Sequence, residues 1–194
     1  MRNEDFGRLA RLMGNGRTVE LEVNIVNRTY PEGATAYNVV AEIPGTDKAQ
    51  EVVMLGGHID SWSPGTGAAD NAAGVAVSME AVRILKTIGV KPRRTIRVAL
   101  WSGEEQGLLG SQAYVKAHFA DRETMALEPD HGKLSVYLNM DNGGGAFRGV
   151  YLQGDETVVP IFEAWMKPFN NLGMTTLTIR DTGGTDHQSY DAVG

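Results

Sequence analysis

The stretch Glu51–Asp60, EVVMLGGHID, joins a short and uniformly apolar run to two polar residues. Thr95–Trp101, TIRVALW, is a second such run, and the acidic pair Glu104 and Glu105 follows shortly after its end. Strands that are apolar through their length, rather than at alternate positions, are typical of a sheet that is covered on both faces. The two stretches therefore predict buried, neighbouring strands of an α/β protein.

Between these two runs, Ala72–Ile88 carries apolar residues at the spacing of an amphipathic helix. Strands that alternate with helices predict a three-layer α/β sandwich with a mostly parallel central sheet. The further predicted elements are helices at Asn3–Met13, Leu108–His118 and Val158–Phe169, and strands at Tyr37–Ile43, Leu134–Met140, Gly149–Leu152 and Thr176–Ile179.

The N-terminal part of the chain has a different pattern. In Thr18–Thr29, Val19, Leu21, Val23 and Ile25 alternate with polar residues. Such alternation predicts a half-buried strand. We therefore expect the sheet to begin with antiparallel strands.

Composition limits the classes of function. The chain has 194 residues, 42% of them hydrophobic, which is enough for one substantial core and one domain over 1–194. The net charge of −6 and the lack of a basic cluster beyond Lys91–Arg94 argue against a nucleic-acid partner. No apolar segment reaches membrane-spanning length. Because there is no cysteine, any metal must be held by His, Asp and Glu.

Polar residues follow the predicted strands at the point where each strand ends. In parallel sheets, binding sites form at the carboxyl ends of the strands, so these residues are expected to meet at one edge. Imidazole and carboxylate donors without thiolates suit zinc, cobalt or manganese. The residues concerned are His58, Asp60, Asp70, Glu104, Glu105 and Asp141.

Each of these residues also has a purely structural interpretation. His58 can be a packing residue, Asp70 can be a helix N-cap, and the acidic pair can be a solvated helix start. Independent caps and turns, however, have no reason to place ligand-type side chains after every strand. Glu104 and Glu105 are adjacent carboxylates that repel each other, and a cation bound by one of them offsets that repulsion.

Several separated motifs resemble the M28 metallopeptidases, in particular the bacterial aminopeptidases and the members similar to plasma glutamate carboxypeptidase. The resemblance covers the chain from about Asn38 onward and implies the zinc-exopeptidase (phosphorylase/hydrolase-like) fold. The motifs are Gly57–Ser61 (GHIDS), Gly67–Gly74 (GAADNAAG), Gly103–Ser111 (GEEQGLLGS), Asn139–Asp141 (NMD) and Gly184–His187 (GTDH).

The resemblance implies a role for each matching residue. His58 and Asp141 would bind one zinc ion, Glu105 would bind a second, and Asp70 would bridge the two. Asp60 would accept the ring N–H of His58 that points away from the metal. Glu104 would be the general base and acid, which takes a proton from the attacking water and passes it to the leaving amine.

The status of His187 stays open, because it can be an active-site residue or a zinc ligand. In the family, the last histidine ligand lies further along the chain, so we expect a domain shortened at its C-terminus. Whether it is also shortened at its N-terminus stays open. With only Asp70 and Glu105 as ligands, one zinc position is expected to be weak, and activity to be impaired. The resemblance also implies that the full-length protein is secreted or periplasmic.

The expected function is metal-dependent exopeptidase activity on peptides, with an aminopeptidase that uses water activated by two zinc ions as the first hypothesis. A carboxypeptidase or dipeptidase of the same fold is the nearest alternative. A one-zinc glutaminyl cyclase is a weaker one, because the two-metal ligand set is present. From another class, a non-catalytic binding module of the transferrin-receptor type would be expected to have lost ligands.

Overall fold

A computed structural model of the chain describes residues 1–141 and 143–194, which form two compact units, 1–34 and 35–194. The first unit contains α1 (Asn3–Gly14) and a 3-10 turn at Pro31–Gly33. Among the described residues, no helix combines the length and apolar character needed to cross a membrane.

The second unit contains all the strands and the other helices. Its helices are α2 (Ala73–Thr87), α3 (Leu109–His118), α4 (Val159–Met166) and α5 (His187–Asp191), with 3-10 turns at His131–Lys133, Glu156–Val158 and Lys167–Leu172. Its strands are β1 (Val39–Ile43), β2 (Lys48–His58), β3 (Arg94–Trp101), β4 (Ala120–Asp121), β5 (Ala126–Leu127), β6 (Leu134–Asn139), β7 (Gly149–Tyr151) and β8 (Thr176–Thr178).

The central sheet has four strands in the order β1-β3-β2-β6. β2 runs parallel to both β3 and β6, whereas β1 pairs with β3 in the antiparallel direction. The parallel register places His58 beside Trp101 and Gly56 beside Asn139, so the three parallel strands end at a common edge. The predicted α/β fold, with a mostly parallel sheet and an antiparallel strand, is confirmed.

One cluster of buried hydrophobic side chains lies on one face of this sheet. Met54 and Trp101 are fully buried there, against residues of α3 and α5. Trp101 is surrounded by the rings of Tyr114, Tyr137 and Tyr190, at centroid distances of 5.0–6.3 Å. α2 packs on β2 and β3 and takes no part in this aromatic cluster. The core therefore fixes the strands whose ends carry the predicted site.

The predicted strand at Thr18–Thr29 is wrong. The segment forms neither helix nor strand, and its alternate apolar residues Leu21, Val23 and Ile25 are exposed. Alternation creates an apolar face, but a strand also needs a neighbour to satisfy its backbone groups, and none of the described residues pairs with this segment.

The structure differs from the sequence prediction in two further details. β7 and β8 pair with each other in a separate two-stranded parallel sheet. The helix predicted to reach Phe169 ends as an α-helix at Met166 and continues as a 3-10 turn. Pro168 accounts for this, because its nitrogen has no hydrogen to donate to the preceding helical turn.

Candidate metal centre

His58 is the centre of the predicted site. It is the last residue of β2 and is 1% exposed. Its Nε2 atom lies 3.0 Å from Asp70 Oδ1, 3.2 Å from Asp141 Oδ1 and 4.0 Å from Glu104 Oε2. Three segments that are far apart in sequence thus direct carboxylates at one imidazole nitrogen.

The donor atoms form two overlapping groups. His58, Asp70 and Glu105 form one, and His58, Glu104 and Asp141 form the other, with all donor atoms of a group within 4.8 Å of one another. This spacing and the mixture of one imidazole with carboxylates fit divalent zinc. We call these five residues, His58, Asp70, Glu104, Glu105 and Asp141, the donor cluster.

Asp60 holds the ring of His58 and the loop of the two glutamates. His58 Nδ1 lies 3.1 Å from the backbone oxygen of Asp60 and 3.5 Å from its carboxylate. The backbone carbonyl, rather than the expected carboxylate, is thus the nearer acceptor of the ring N–H, which leaves the Nε2 lone pair for a metal. The Asp60 carboxylate accepts the backbone N–H groups of Glu104 and Glu105, at 3.1 and 3.2 Å.

The loop that carries Glu104 is fixed at both ends by Asn38. The Asn38 Oδ1 atom accepts the N–H of Ser102 at 3.1 Å, and its Nδ2 atom donates to Gly110 O at 2.9 Å. Gly103 turns the chain with a φ of +69°, a conformation that suits glycine. The sequence did not single out Asn38, because an asparagine before a strand has no distinctive pattern.

Asn71 joins the segment of Asp70 to the end of β6. It is 2% exposed, donates to Met140 O at 2.8 Å and accepts the N–H of Gly74 at 3.1 Å. The three segments pass so close together that a Cβ atom on Gly57 would lie 2.6 Å from Met140 O. Asp70 and Asp141 are therefore held beside each other through their neighbours in sequence.

The crowded carboxylates change the proton affinity of the site. Burial alone would lower the pKa of His58, but the hydrogen bond and charge of Asp141, together with Glu104 and Asp60, raise it to about 9. Burial raises the pKa of Glu104 to about 7, against the attraction of His58. Burial, followed by repulsion from Asp70, also raises the pKa of Glu105. The metal-free cluster therefore retains protons that a cation must displace.

His187 lies outside the donor cluster. Its Nε2 atom is 2.8 Å from the backbone oxygen of Thr182, and neither group of candidate ligands includes it. The neighbouring Asp186 is 0% exposed. The sequence placed Asp186 within a motif but gave it no role, because burial of an aspartate cannot be read from a motif.

Residues 38–194 match the model of peptidase family M28. The chain belongs to this family. Carboxypeptidase Q of Rattus norvegicus is 32% identical over 191 residues, a match that covers 98% of this chain and 38% of the relative. The chain thus spans well under half the length of this M28 relative.

Solved M28 structures show the same fold. The peptidase M28 precursor from Shewanella amazonensis SB2B matches with a TM-score of 0.70 and 36% identity over 82% of this chain and 34% of that one. BSAP, a zinc aminopeptidase from Bacillus subtilis, matches with a TM-score of 0.62 and 26% identity, over 80% of this chain and 37% of that one. The recognition of the family from sequence motifs is confirmed.

Proposed function

We propose that this chain is the zinc-binding part of an exopeptidase that hydrolyses the terminal peptide bond of peptides, with an aminopeptidase as the first candidate. The observation that carries the proposal is the donor cluster, in which His58 Nε2 is shared by two groups of carboxylates. Zinc in the relative BSAP and peptidase chemistry in the family agree with this donor set.

The two donor groups share His58, whose single Nε2 lone pair can bind only one cation, so two cation positions in this cluster would differ in affinity. His58 and Asp141 would hold one zinc ion, Glu105 would hold the other, and Asp70 would lie between them. The first position has an imidazole ligand, whereas the second has carboxylates alone. We therefore propose that the second position is the weaker one in this chain.

When bound, zinc polarises the scissile carbonyl and lowers the pKa of water. Glu104 would act as the general base and then acid, because its carboxyl group is 8% exposed and 4.0 Å from His58 Nε2. Asp60 would keep Glu104 and Glu105 in place through their backbone N–H groups. The Asp70 carboxylate, 66% exposed, would mark the side from which a peptide enters.

The charge around the cluster favours a substrate with a free amine. Among the residues that the structure describes, no lysine or arginine forms an ion pair with a carboxylate of the donor cluster. An α-amino group would be attracted to this surplus of negative charge, whereas an α-carboxylate would be repelled. Carboxypeptidase activity is the second candidate, because the similarity to carboxypeptidase Q extends over 98% of the chain.

The test combines zinc stoichiometry with a substrate panel. We expect the purified chain, dialysed against trace zinc, to retain zinc and to release the anilide from aminoacyl anilides in a chelator-sensitive way. Cleavage of N-blocked peptides with free carboxyl ends, and not of the anilides, would support the carboxypeptidase instead. Zinc retention without turnover would favour a binding module. A chain that retains no zinc would refute the metal site. The secreted or periplasmic location stays a prediction.

A further inference from the structure

Asp186 is a buried carboxylate without a partner. It is 0% exposed, and neither of its carboxylate oxygens accepts a hydrogen bond from the residues that the structure describes. A buried charge that is not paired or hydrogen-bonded costs considerable free energy. The presence of such a group in the interior therefore indicates that its charge has a function.

The segment that carries Asp186 is hydrogen-bonded to the end of β6, two residues before Asp141. Trp101 Nε1 donates to Tyr137 Oη at 2.8 Å, and Tyr137 Oη donates to Asn139 Oδ1 at 2.6 Å. Asn139 Nδ2 in turn donates to Thr185 Oγ1 at 2.9 Å. Through this series of hydrogen bonds, β3 and β6 hold Thr185, the residue directly before Asp186.

The groups that act on Asp186 belong mostly to the metal centre. Burial raises the pKa of Asp186 to about 6, the nearby Ser111 hydroxyl and His58 oppose the rise, and the charges of Asp141 and Asp60 add to it. The hydrogen bonds of the Ser111 hydroxyl run to Leu108 O at 3.2 Å and to the Ser189 hydroxyl at 2.8 Å. Among these charged groups, His58 is the one that attracts the charge of Asp186.

We propose that Asp186 is an electrostatic support of the metal centre, whose unpaired negative charge strengthens cation binding at His58 and Asp141 without itself being a ligand. In the metal-free protein this charge repels the carboxylates of Asp141 and Asp60, and only His58 offsets the repulsion. A divalent cation in the donor cluster compensates it. The proposal rests on the proposed metal-binding function.

An electrostatic role and a purely structural role of Asp186 predict different effects of the same substitution on stability and zinc affinity. Asparagine has nearly the shape of aspartate but no charge. Asp186→Asn removes repulsion from the metal-free protein, which should become more stable, and it removes attraction for the cation, which should bind more weakly. If Asp186 only supported the fold, the same change would lower stability and zinc affinity together.

The experiment compares wild type, Asp186→Asn and a matched control, Asp191→Asn. Asp191 is exposed at the end of α5, the helix that begins directly after Asp186, and the control changes the net charge equally. Zinc affinity is measured by competition with a chromogenic chelator at pH 8, where Asp186 is ionised. The urea midpoint of each protein is measured in the presence of a chelator.

We expect Asp186→Asn to weaken zinc binding by about 10- to 100-fold, as is usual for residues that support metal ligands. We expect its metal-free urea midpoint to rise, and Asp191→Asn to change neither quantity. Equal zinc affinity in Asp186→Asn and wild type would overturn the inference and leave the proposed function intact. A lower metal-free midpoint, or failure to fold, would overturn it as well. A wild-type chain that binds no zinc would refute both.

Discussion

The carboxylate of Asp60 accepts the backbone N–H of Glu104 at 3.1 Å, across 44 positions of sequence. A residue at the end of one strand thus sets the position of the proposed general base after the next strand. Its second oxygen accepts the N–H of Glu105 at 3.2 Å, so both acidic residues depend on one side chain. This arrangement makes Asp60 a sensitive position that is not itself in either group of candidate ligands.

Asp60→Asn should lower turnover by about 10- to 100-fold, since the amide offers one acceptor where the carboxylate offers two. In the variant, the backbone N–H of Glu104 or Glu105 loses its acceptor, so that residue moves away from its position in the site. Turnover of an aminoacyl anilide and zinc affinity are the measurements. Asp155→Asn is the control, because Asp155 also accepts a backbone N–H, that of Thr157 at 2.8 Å, in an exposed loop. Equal losses in both variants would contradict a specific role of Asp60.

Glu104→Gln should lower kcat by about 10²- to 10⁴-fold, because glutamine cannot accept the proton from water. The amide has the same shape, so the chain should still retain the zinc held by His58 and Asp141. Steady-state kinetics and zinc stoichiometry on the same preparation test this. Turnover close to that of wild type would exclude Glu104 as the general base.

Zinc binding should release protons, and zinc affinity should rise with pH up to about 9. The pKa of His58 in the metal-free protein is about 9, so at pH 7.5 its imidazole carries a proton that zinc must displace. Calorimetric titration in buffers of different ionisation enthalpy measures the number of protons released. We expect about one proton from His58 at pH 7.5 and fewer above pH 9. Binding without proton release at pH 7.5 would contradict the raised pKa.

The stability of the metal-free protein should fall as the pH rises. The folded-state pKa values of His58, Glu104 and Asp186 are about 9, about 7 and about 6, all above their ordinary values of 6.5, 4.5 and 3.8. The folded protein therefore binds more protons than the unfolded chain between about pH 4 and pH 9, so the free energy of unfolding decreases across this range. Urea midpoints in a chelator, measured from pH 5 to pH 9, test the slope. His58→Ala should make it shallower above pH 7.

Gly57→Ala should lower the free energy of unfolding by about 1–3 kcal/mol, because the new methyl group must displace backbone atoms. Its Cβ would lie 2.6 Å from Met140 O and 2.8 Å from Asn71 Nδ2. The displacement separates the ends of β2 and β6, so zinc affinity should fall too. Gly132→Ala is the control, since a Cβ atom there has no neighbour within 4 Å. Denaturant unfolding of both variants measures the free energy of unfolding, and zinc titration measures the zinc affinity.

The sequence predicted those features that depend on local patterns. Uniformly apolar runs predicted β3 to within one residue and the middle of β2, which extends three residues further at each end. The polar residues at the ends of these runs predicted His58, Glu104 and Glu105, which the structure brings to one edge. Features that depend on distant neighbours could not be predicted. The alternation at Thr18–Thr29 says nothing about whether a partner strand is present, and the burial of Asp186 depends on α3 and β6 closing around it.

The residues of the donor cluster stand at positions 58, 70, 104, 105 and 141, at the end of β2 or in the segments that follow β2, β3 and β6. A cation that they held together would act as a cross-link between the ends of three strands. Separation of those strand ends would then cost the binding free energy of the cation as well. Resistance of the chain to proteolysis would therefore depend on the free zinc concentration around it, rising with zinc supply as the bound form is populated.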